Sequence, residues 1–361
     1  MMPKMPVNLL KLKEKFAKEK FLVALDIGNS VTKVVKLKFF KESIELCGFE
    51  LEPTPADLAE FFKKAASYQD ANKANPLFSA KDGVNISVSG PSTIIRYLSF
   101  PNMSDNDLKN ALKFEAQKHI PFSIDEVNLD GYILREGLPD NKMQVLLAAV
   151  KKEFLSKRIK IIQDAGINVN IVDIDSVALI NAFNFNYFQE EEEKREENQK
   201  AQTLALLNIG ASMSNLNILE GRIPCLSRDI QIAGNNFTQK LADILGIDFK
   251  SAEGLKCNPA QDRLDKIVMA IESVLSNLAQ EIRASFDYYE NQNASSVAKI
   301  FLSGGGSLFT GLKDMLANLM ATEVQYWDPL RKISLAEGID SEKLKAVSSQ
   351  LAITVGLALR A

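Results

Sequence analysis

Three short stretches of the chain carry residue types at the spacing that grips phosphate. Asp26-Ile27-Gly28-Asn29-Ser30 sits between two apolar runs, with Lys33 one short step into the second run. Asn208-Ile209-Gly210-Ala211-Ser212 repeats that arrangement in the second half, and Ser303-Gly304-Gly305-Gly306-Ser307 follows the run Lys299-Ile300-Phe301-Leu302. Glycine removes the Cβ that would keep a phosphate oxygen away from backbone N–H groups, so each turn can act as an anion cradle. A carboxylate at Asp26, beside such a turn, suits magnesium held through water, because Mg2+ dehydrates reluctantly. Lys33 adds positive charge. The third turn opens a helix and so offers bare N–H groups and the positive end of a helix dipole. None of the three fits G-x-G-x-x-G or G-x-x-x-x-G-K-[ST], which disfavours a dinucleotide fold and a P-loop. Taken singly, each also reads as ordinary turn chemistry, since aspartate before glycine ends many strands.

The elements that must position these turns repeat as well. FLVALDIGNSVTKVVKL (21–37) and TLALLNIGASMSNLNIL (203–219) both read as strand, turn, strand. Such a duplication implies two homologous lobes that clamp one nucleotide between them. After the first copy come a strand over ESIELCGFEL, a helix from PADLAEFFKKAASY and a strand at GVNISVSG. Residues from Pro91 to about Asn168 have a β-α-β-β-α order of their own, with Ser104 capping the helix and Asp107 completing a capping box. That order reads as an inserted subdomain. VNIVDIDSVALINAF then runs a strand into a helix, and its Asp173 and Asp175 are candidates either for catalysis or for capping that helix. The acidic run QEEEEKREENQK marks a solvated boundary between lobes. Beyond the second copy lie a strand hairpin, a helix, a short helix at SAEGLK, a long amphipathic helix from Arg263 to Glu290, and a terminal helix near SSQLAITVGLALR.

Composition narrows the function. With 361 residues, 46% of them hydrophobic and 25% charged, the chain can fill two cores. A net charge of -3 gives no electrostatic case for nucleic acid. Cys47, Cys225 and Cys257 are far apart and show no zinc-ligand spacing, which fits a reducing cytoplasm. The single histidine, His119, ends a helix and reads as a cap or packing residue rather than a catalytic base. No apolar run approaches the eighteen or so residues that a membrane span needs. The first twenty residues set Leu9, Leu10, Leu12 and Phe16 among lysines, a solvated basic extension with contact to anionic lipid or a partner as the alternative.

In this order the motifs resemble the actin-like ATPase superfamily of actin, the sugar kinases and the FtsA group, and within it the PilM family of type IV pilus assembly proteins. The stretches that carry the resemblance are ALDIGNSVTKVVKL, ALKFEAQKHIPFSIDEVNLDGYIL, IIQDAGINVNIVDIDSVAL, NIGASMSNLNIL, IFLSGGGSLFTGLKDML and ITVGLALR, spread over nearly the whole chain. EAQKHIPFSIDEVNLD is the most specific, because it lies in the insertion that FtsA-like and PilM-like proteins carry. The resemblance implies an α/β fold of two duplicated ribonuclease-H-like lobes with an inserted small α+β subdomain. Its expected partition is a basic extension over 1–20, lobe core 1A over 21–90 and 169–188, insertion 1C over 91–168, an acidic linker over 189–202, lobe core 2A over 203–233 and 297–361, and helical subdomain 2B over 234–296.

The same resemblance implies ATP and Mg2+ as ligands. Asp26, Gly28, Asn29, Ser30 and Lys33 would form the first phosphate loop, and Asn208, Gly210, Ala211 and Ser212 the second. Gly234 and Asn235 would start the helix behind it, Glu253 and Lys256 would contact the ribose, and Gly304, Gly305 and Gly306 would face the adenosine. A Glu-Lys pair three apart on a helix is equally a surface ion pair. The family's second loop usually begins with aspartate, and Asn208 cannot act as a base. Binding with slow or absent hydrolysis is therefore expected, unless Asp173 or Asp175 supplies the carboxylate. As partner the resemblance implies the N-terminal cytoplasmic tail of a PilN-like protein, with the PilN/PilO platform and the pilus ATPases beyond it. The chain would then be cytoplasmic and held at the inner membrane through partners. VNLLKLKEK near its own start resembles the Asn-Leu-Leu stretch of that tail, so self-association is a further expectation. The alternatives are an active ATPase or small-molecule kinase of the same fold, which would need an acid in the second lobe, and an FtsA-like filament protein, which would need a C-terminal amphipathic helix.

Overall fold

The computed structural model describes residues 18–65, 77, 83–188, 202–259, 264–293 and 295–360. The expected basic helix within 1–17 and the acidic run over 189–201 lie outside these residues. The chain divides into two compact units, Met1–Glu192 with Pro329–Ala361, and Glu193–Asp328.

In the first unit β1 (Lys20–Ile27), β2 (Val31–Phe40) and β3 (Ser43–Pro53) form an antiparallel meander. Helix α1 (Leu58–Ala65) precedes β4 (Val84–Val88), which pairs parallel to β1. The insertion follows, with β5 (Thr93–Pro101), α2 (Asp105–His119), β6 (Val127–Leu138) and β7 (Lys142–Lys151). Its strands lie in the order β5-β7-β6, and α2 buries Leu108, Leu112 and Ala116 against Met143, Val145 and Leu147. Gly131 of β6 leaves the room that Leu112 fills, since a Cβ there would lie 2.3 Å from Leu112 Cδ1. The Ser104 hydroxyl accepts from the Asp107 N–H at 3.3 Å, as a helix N-cap does. The reciprocal half of a capping box is not formed, because the Asp107 carboxylate accepts from the Ser104 hydroxyl at 2.6 Å instead of from the Ser104 backbone N–H. Helix α3 (Lys152–Asp164) then returns to the first sheet, placing Ile162 among Val23, Leu25 and Val34. Strand β8 (Val169–Ile174) pairs parallel to β4 and runs into α4 (Asp175–Tyr187), where every residue from Ser176 to Asn186 is buried.

The second unit repeats the plan. Strands β9 (Thr203–Ile209), β10 (Ser214–Glu220) and β11 (Ile223–Ile230) form an antiparallel meander. Helices α5 (Gly234–Leu245), α6 (Phe249–Cys257) and the 30-residue α7 (Leu264–Asn293) follow. Strand β12 (Lys299–Ser303), α8 (Leu312–Met320) and β13 (Glu323–Tyr326) complete it. The order β11-β10-β9-β12-β13 matches β3-β2-β1-β4-β8 of the first unit strand for strand. Even an irregularity is duplicated, for the register slips between Lys36 and Leu37 and between Ile218 and Leu219, at the same offset from Asp26 and Asn208.

Residues Pro329–Ala361 fold with the first unit, not with the second-lobe strands to which 297–361 was assigned. Strand β14 (Ser334–Leu335) extends the first sheet at β3, and α9 (Ser341–Val347) leads to the buried α10 (Ala352–Ala358). Buried asparagines capture the returning chain. Asn186 donates to the Pro329 carbonyl at 2.7 Å and accepts from the Lys332 N–H at 2.9 Å, and Asn85 donates to the carbonyls of Leu357 and Arg360 at 3.0 Å each. Helix α10 presses so closely on α4 that a Cβ at Gly356 would lie 1.8 Å from the Ala178 carbonyl oxygen.

Candidate functional site

Both repeated turns close in the same way. A Cβ on Gly28 would lie 2.6 Å from the Val31 carbonyl oxygen, and one on Gly210 would lie 2.8 Å from that of Met213. The turns therefore require glycine for backbone space. The Gly210 N–H donates to Met213 O at 3.0 Å. The Thr54 hydroxyl and N–H brace the first turn by donating to Gly28 O at 2.7 Å and Ser30 O at 2.9 Å. Among the described residues the Ala211 and Ser212 N–H groups make no backbone hydrogen bond, which leaves them as candidate donors to an anion.

The side chains on these two backbones differ as a pair. Asp26 faces Lys33 directly across the β1–β2 hairpin, with Lys33 Nζ 2.8 Å from the carboxylate, and Asp26 is only 8% exposed. The equivalent cross-strand partners in the second unit are Asn208 and Asn215, joined at 3.2 Å. An ion pair has become an amide pair.

The second unit brings three glycine positions together. The Gly234 and Asn235 N–H groups donate to the Gly210 and Ala211 carbonyls at 3.0 and 2.7 Å, and the Asn235 amide reaches the Ser212 hydroxyl at 3.2 Å. The start of α5 thus holds the second turn from behind, and two of its bare N–H groups are already used. A Cβ on Gly306 would lie 2.5 Å from Gly210 O, and one on Gly304, whose φ is +90°, would lie 2.3 Å from Ile209 O. Gly305 is the exposed member of that turn. Deeper in, the buried Lys256 ammonium donates to Gly234 O at 3.2 Å and to the Thr238 hydroxyl at 2.7 Å, and lies 2.7 Å from Glu253. Thr238 also donates to Glu253. Partial burial pushes the Glu253 carboxyl up, but hydrogen bonds from Lys256 and Thr238 outweigh it and hold the carboxyl below its ordinary value. Burial beside Glu253 pushes the Cys257 thiol up.

Comparisons with known proteins bear on the family and the fold. A family model described as type IV pilus assembly protein PilM matches residues 24–361. The chain belongs to the PilM family. A solved PilM-PilN type IV pilus biogenesis complex is similar to it at 25% identity and a TM-score of 0.79, covering 94% of this chain and 98% of that one. The ethanolamine utilization protein EutJ from Carboxydothermus hydrogenoformans shares the fold at 14% identity and a TM-score of 0.51, covering 98% of this chain and 100% of the other. The architecture is that of the actin-like ATPases, and the PilM family works in type IV pilus assembly.

Within this PilM-family fold the two candidate aspartates point to different surroundings. Asp173 is fully buried, its Oδ1 accepting from the Ile174 N–H at 2.8 Å and its Oδ2 lying 3.2 Å from Arg360 Nε. Burial raises its pKa against the pull of Arg360. Asp175 is half-buried at the first turn of α4 and acts electrostatically on Arg158. Sequence reasoning missed Arg158, whose guanidinium donates to Ile27 O at 3.1 Å on the strand end that carries Asp26. Burial lowers its pKa, opposed by Asp175 and Asp26. An isolated arginine on an amphipathic helix gave no signal, because only the packing of α3 brings it to the turn. Among the described residues no three His, Cys, Asp or Glu side chains gather as metal ligands. Of the two repeated turns only the first carries a carboxylate, Asp26, a ligand type that suits magnesium held through water. No described helix is long and apolar enough to cross a membrane.

Proposed function

We propose that the chain is an ATP-binding scaffold of the type IV pilus inner-membrane platform, with slow or absent hydrolysis. The observation that supports nucleotide binding is the convergence of Gly210, Gly234 and Gly306, where a Cβ on Gly306 would lie 2.5 Å and one on Gly234 3.1 Å from Gly210 O, beside the N–H groups of Ala211 and Ser212, which make no backbone hydrogen bond. A backbone surface of this kind admits phosphate and ribose oxygens and excludes side chains. Ala211 and Ser212 would hold phosphate, Gly304–Gly306 would lie against the adenosine, and Glu253 with Lys256 would meet the ribose. In the first unit Lys33 and the Gly28–Ser30 turn would give that unit's own phosphate grip, and Asp26 would hold magnesium there through water, the ion supplying charge neutralisation at phosphate. Asn208 offers hydrogen bonds but neither negative charge nor a base, and that supports binding without brisk turnover.

The partner reading rests on the family and on the similar PilM-PilN complex. The partner would be the N-terminal cytoplasmic tail of a PilN-like protein, recognised in a preformed groove. Through it the chain would sit at the inner membrane with PilO and serve the pilus ATPases. Calorimetric titration of the full chain with ATP and magnesium, and separately with a PilN-like tail peptide, tests both halves. ATP should bind with micromolar or tighter affinity and turnover near background, and Asp26→Ala should weaken binding at least tenfold. Failure to bind ATP, or turnover of several per second, would overturn the scaffold reading, and a silent peptide titration would overturn the partner.

A further inference from the structure

Four polar side chains line up across the second sheet, one per strand. Ser303, Asn208, Asn215 and Asp229 are successive register partners on β12, β9, β10 and β11. The Ser303 hydroxyl donates to Asn208 Oδ1 at 3.3 Å, the Asn208 amide donates to Asn215 Oδ1 at 3.2 Å, and the Asn215 amide donates to Asp229 Oδ1 at 2.8 Å. Ser303, Asn208 and Asn215 are all buried, and Asp229 alone of the row is half-exposed. All three bonds run in one direction, and chemistry dictates that direction. An ionised carboxylate only accepts, so the Asn215 NH2 must face Asp229. Its carbonyl must then face Asn208, which must turn its own NH2 inward and its Oδ1 toward Ser303 and the glycine turn.

We propose that Asp229 is a positioning residue for the second phosphate turn, acting through Asn215 to fix the polarity of the Asn208 amide. Asn208 thereby presents an oxygen rather than an N–H at the Ser303–Gly304 turn, where Asn208 Oδ1 would lie 2.8 Å from a Cβ on Gly304. The inference rests on the nucleotide-binding reading for its purpose, since that oxygen would accept from a water or hydroxyl of the bound ligand. The relay itself does not depend on that reading. It also accounts for asparagine at 208. With Asp229 in place, a carboxylate at 208 would face the Asn215 carbonyl, acceptor against acceptor in a buried site, and Asn215 could satisfy only one of its two acidic neighbours.

The test is a cycle of Asn208→Asp and Asp229→Asn in the full chain, read first by thermal unfolding without nucleotide. Asn208→Asp in the Asp229 background should lower the midpoint by roughly 4–8 °C. In the Asp229→Asn background the Asn215 amide can flip to serve a carboxylate at 208 while the new amide at 229 donates to the Asn215 carbonyl, so the same change should cost less than about 2 °C. Equal losses in the two backgrounds would overturn the relay. If a single variant does not fold, the double variant decides, with a midpoint near the parent's supporting the relay and failure to fold refuting it. The second readout is the affinity for a non-hydrolysable ATP analogue. Asp229→Asn frees the relay polarity and should weaken binding about 3–10-fold with little change in midpoint, whereas an unchanged affinity would refute the positioning role. A parent chain that binds no analogue would sink the nucleotide reading and the positioning role with it, while the thermal cycle would still judge the relay.

Discussion

Asp173→Asn separates a structural aspartate from a catalytic one. Asp173 is 0% exposed and Arg360 5%, with 3.2 Å between Oδ2 and Nε, so the pair has almost no water to screen it. Removing the negative partner of a buried pair leaves an uncompensated charge, which typically costs about 3–5 kcal/mol. Asp130 also feels Arg360 and offsets part of the loss, so about 3 kcal/mol is expected for the first unit. With a urea slope of about 2 kcal/mol per molar for a unit of this size, the unfolding midpoint should fall by about 1.5 M. Replacing the pair together, with Asp173→Leu and Arg360→Met, should recover most of that stability, because an apolar pair of similar volume carries no desolvation cost. The assay is equilibrium urea unfolding followed by far-UV circular dichroism, run beside ATP turnover on the same samples. A midpoint within about 0.3 M of the parent, together with loss of a measurable turnover, would refute the structural assignment and return Asp173 to the catalytic candidates.

Three further outcomes follow from the same geometry. Gly304→Ala forces a Cβ to within 2.3 Å of Ile209 O at a φ of +90°, so it should cost the second unit about 2–3 kcal/mol and weaken ATP binding at least tenfold by titration. Because the folded pKa of Glu253 lies below its ordinary value, its contribution is present above the ordinary carboxylate range and is lost as pH falls through the folded value. The thermal midpoint of the second unit should therefore drop on acidification below about pH 4, and Lys256→Met should flatten that dependence. Gly356→Ala should prevent α10 from docking on α4, with loss of cooperative unfolding of the first unit as the readout.

What the sequence disclosed and what it withheld divide along physical lines. The two strand-turn-strand copies were legible because an apolar run, an Asp-Ile-Gly or Asn-Ile-Gly turn and their repetition are all local signals. The insertion was legible for the same reason, down to the Ser104 cap. The destination of Pro329–Ala361 was not, since it is decided by Asn186 and Asn85 binding carbonyls more than a hundred residues away. A buried asparagine on a helix that is apolar all round looks, in sequence, like any other polar interruption. Arg158 and Asp229 were hidden likewise, for each matters only through the neighbour that tertiary packing or strand register supplies.

The substitution of Asn208 for aspartate is better understood as one side of a pair than as a lost residue. On the shared backbone, position 208 and position 215 are cross-strand neighbours, as are 26 and 33. A buried carboxylate at one requires a cation at the other, and Lys33 meets that need for Asp26. At 215 there is asparagine, which can satisfy an amide at 208 or a carboxylate at 229 only by turning one end to each. Charge on this row therefore sits at 229, on the half-exposed strand where water lowers its cost, and reaches the turn only as the orientation of two amides. The backbone of the turn would grip through N–H groups and space, and the orientation of Asn208 adds one acceptor oxygen to that grip. On the proposed nucleotide reading, a site built this way would keep its ligand without a carboxylate at 208.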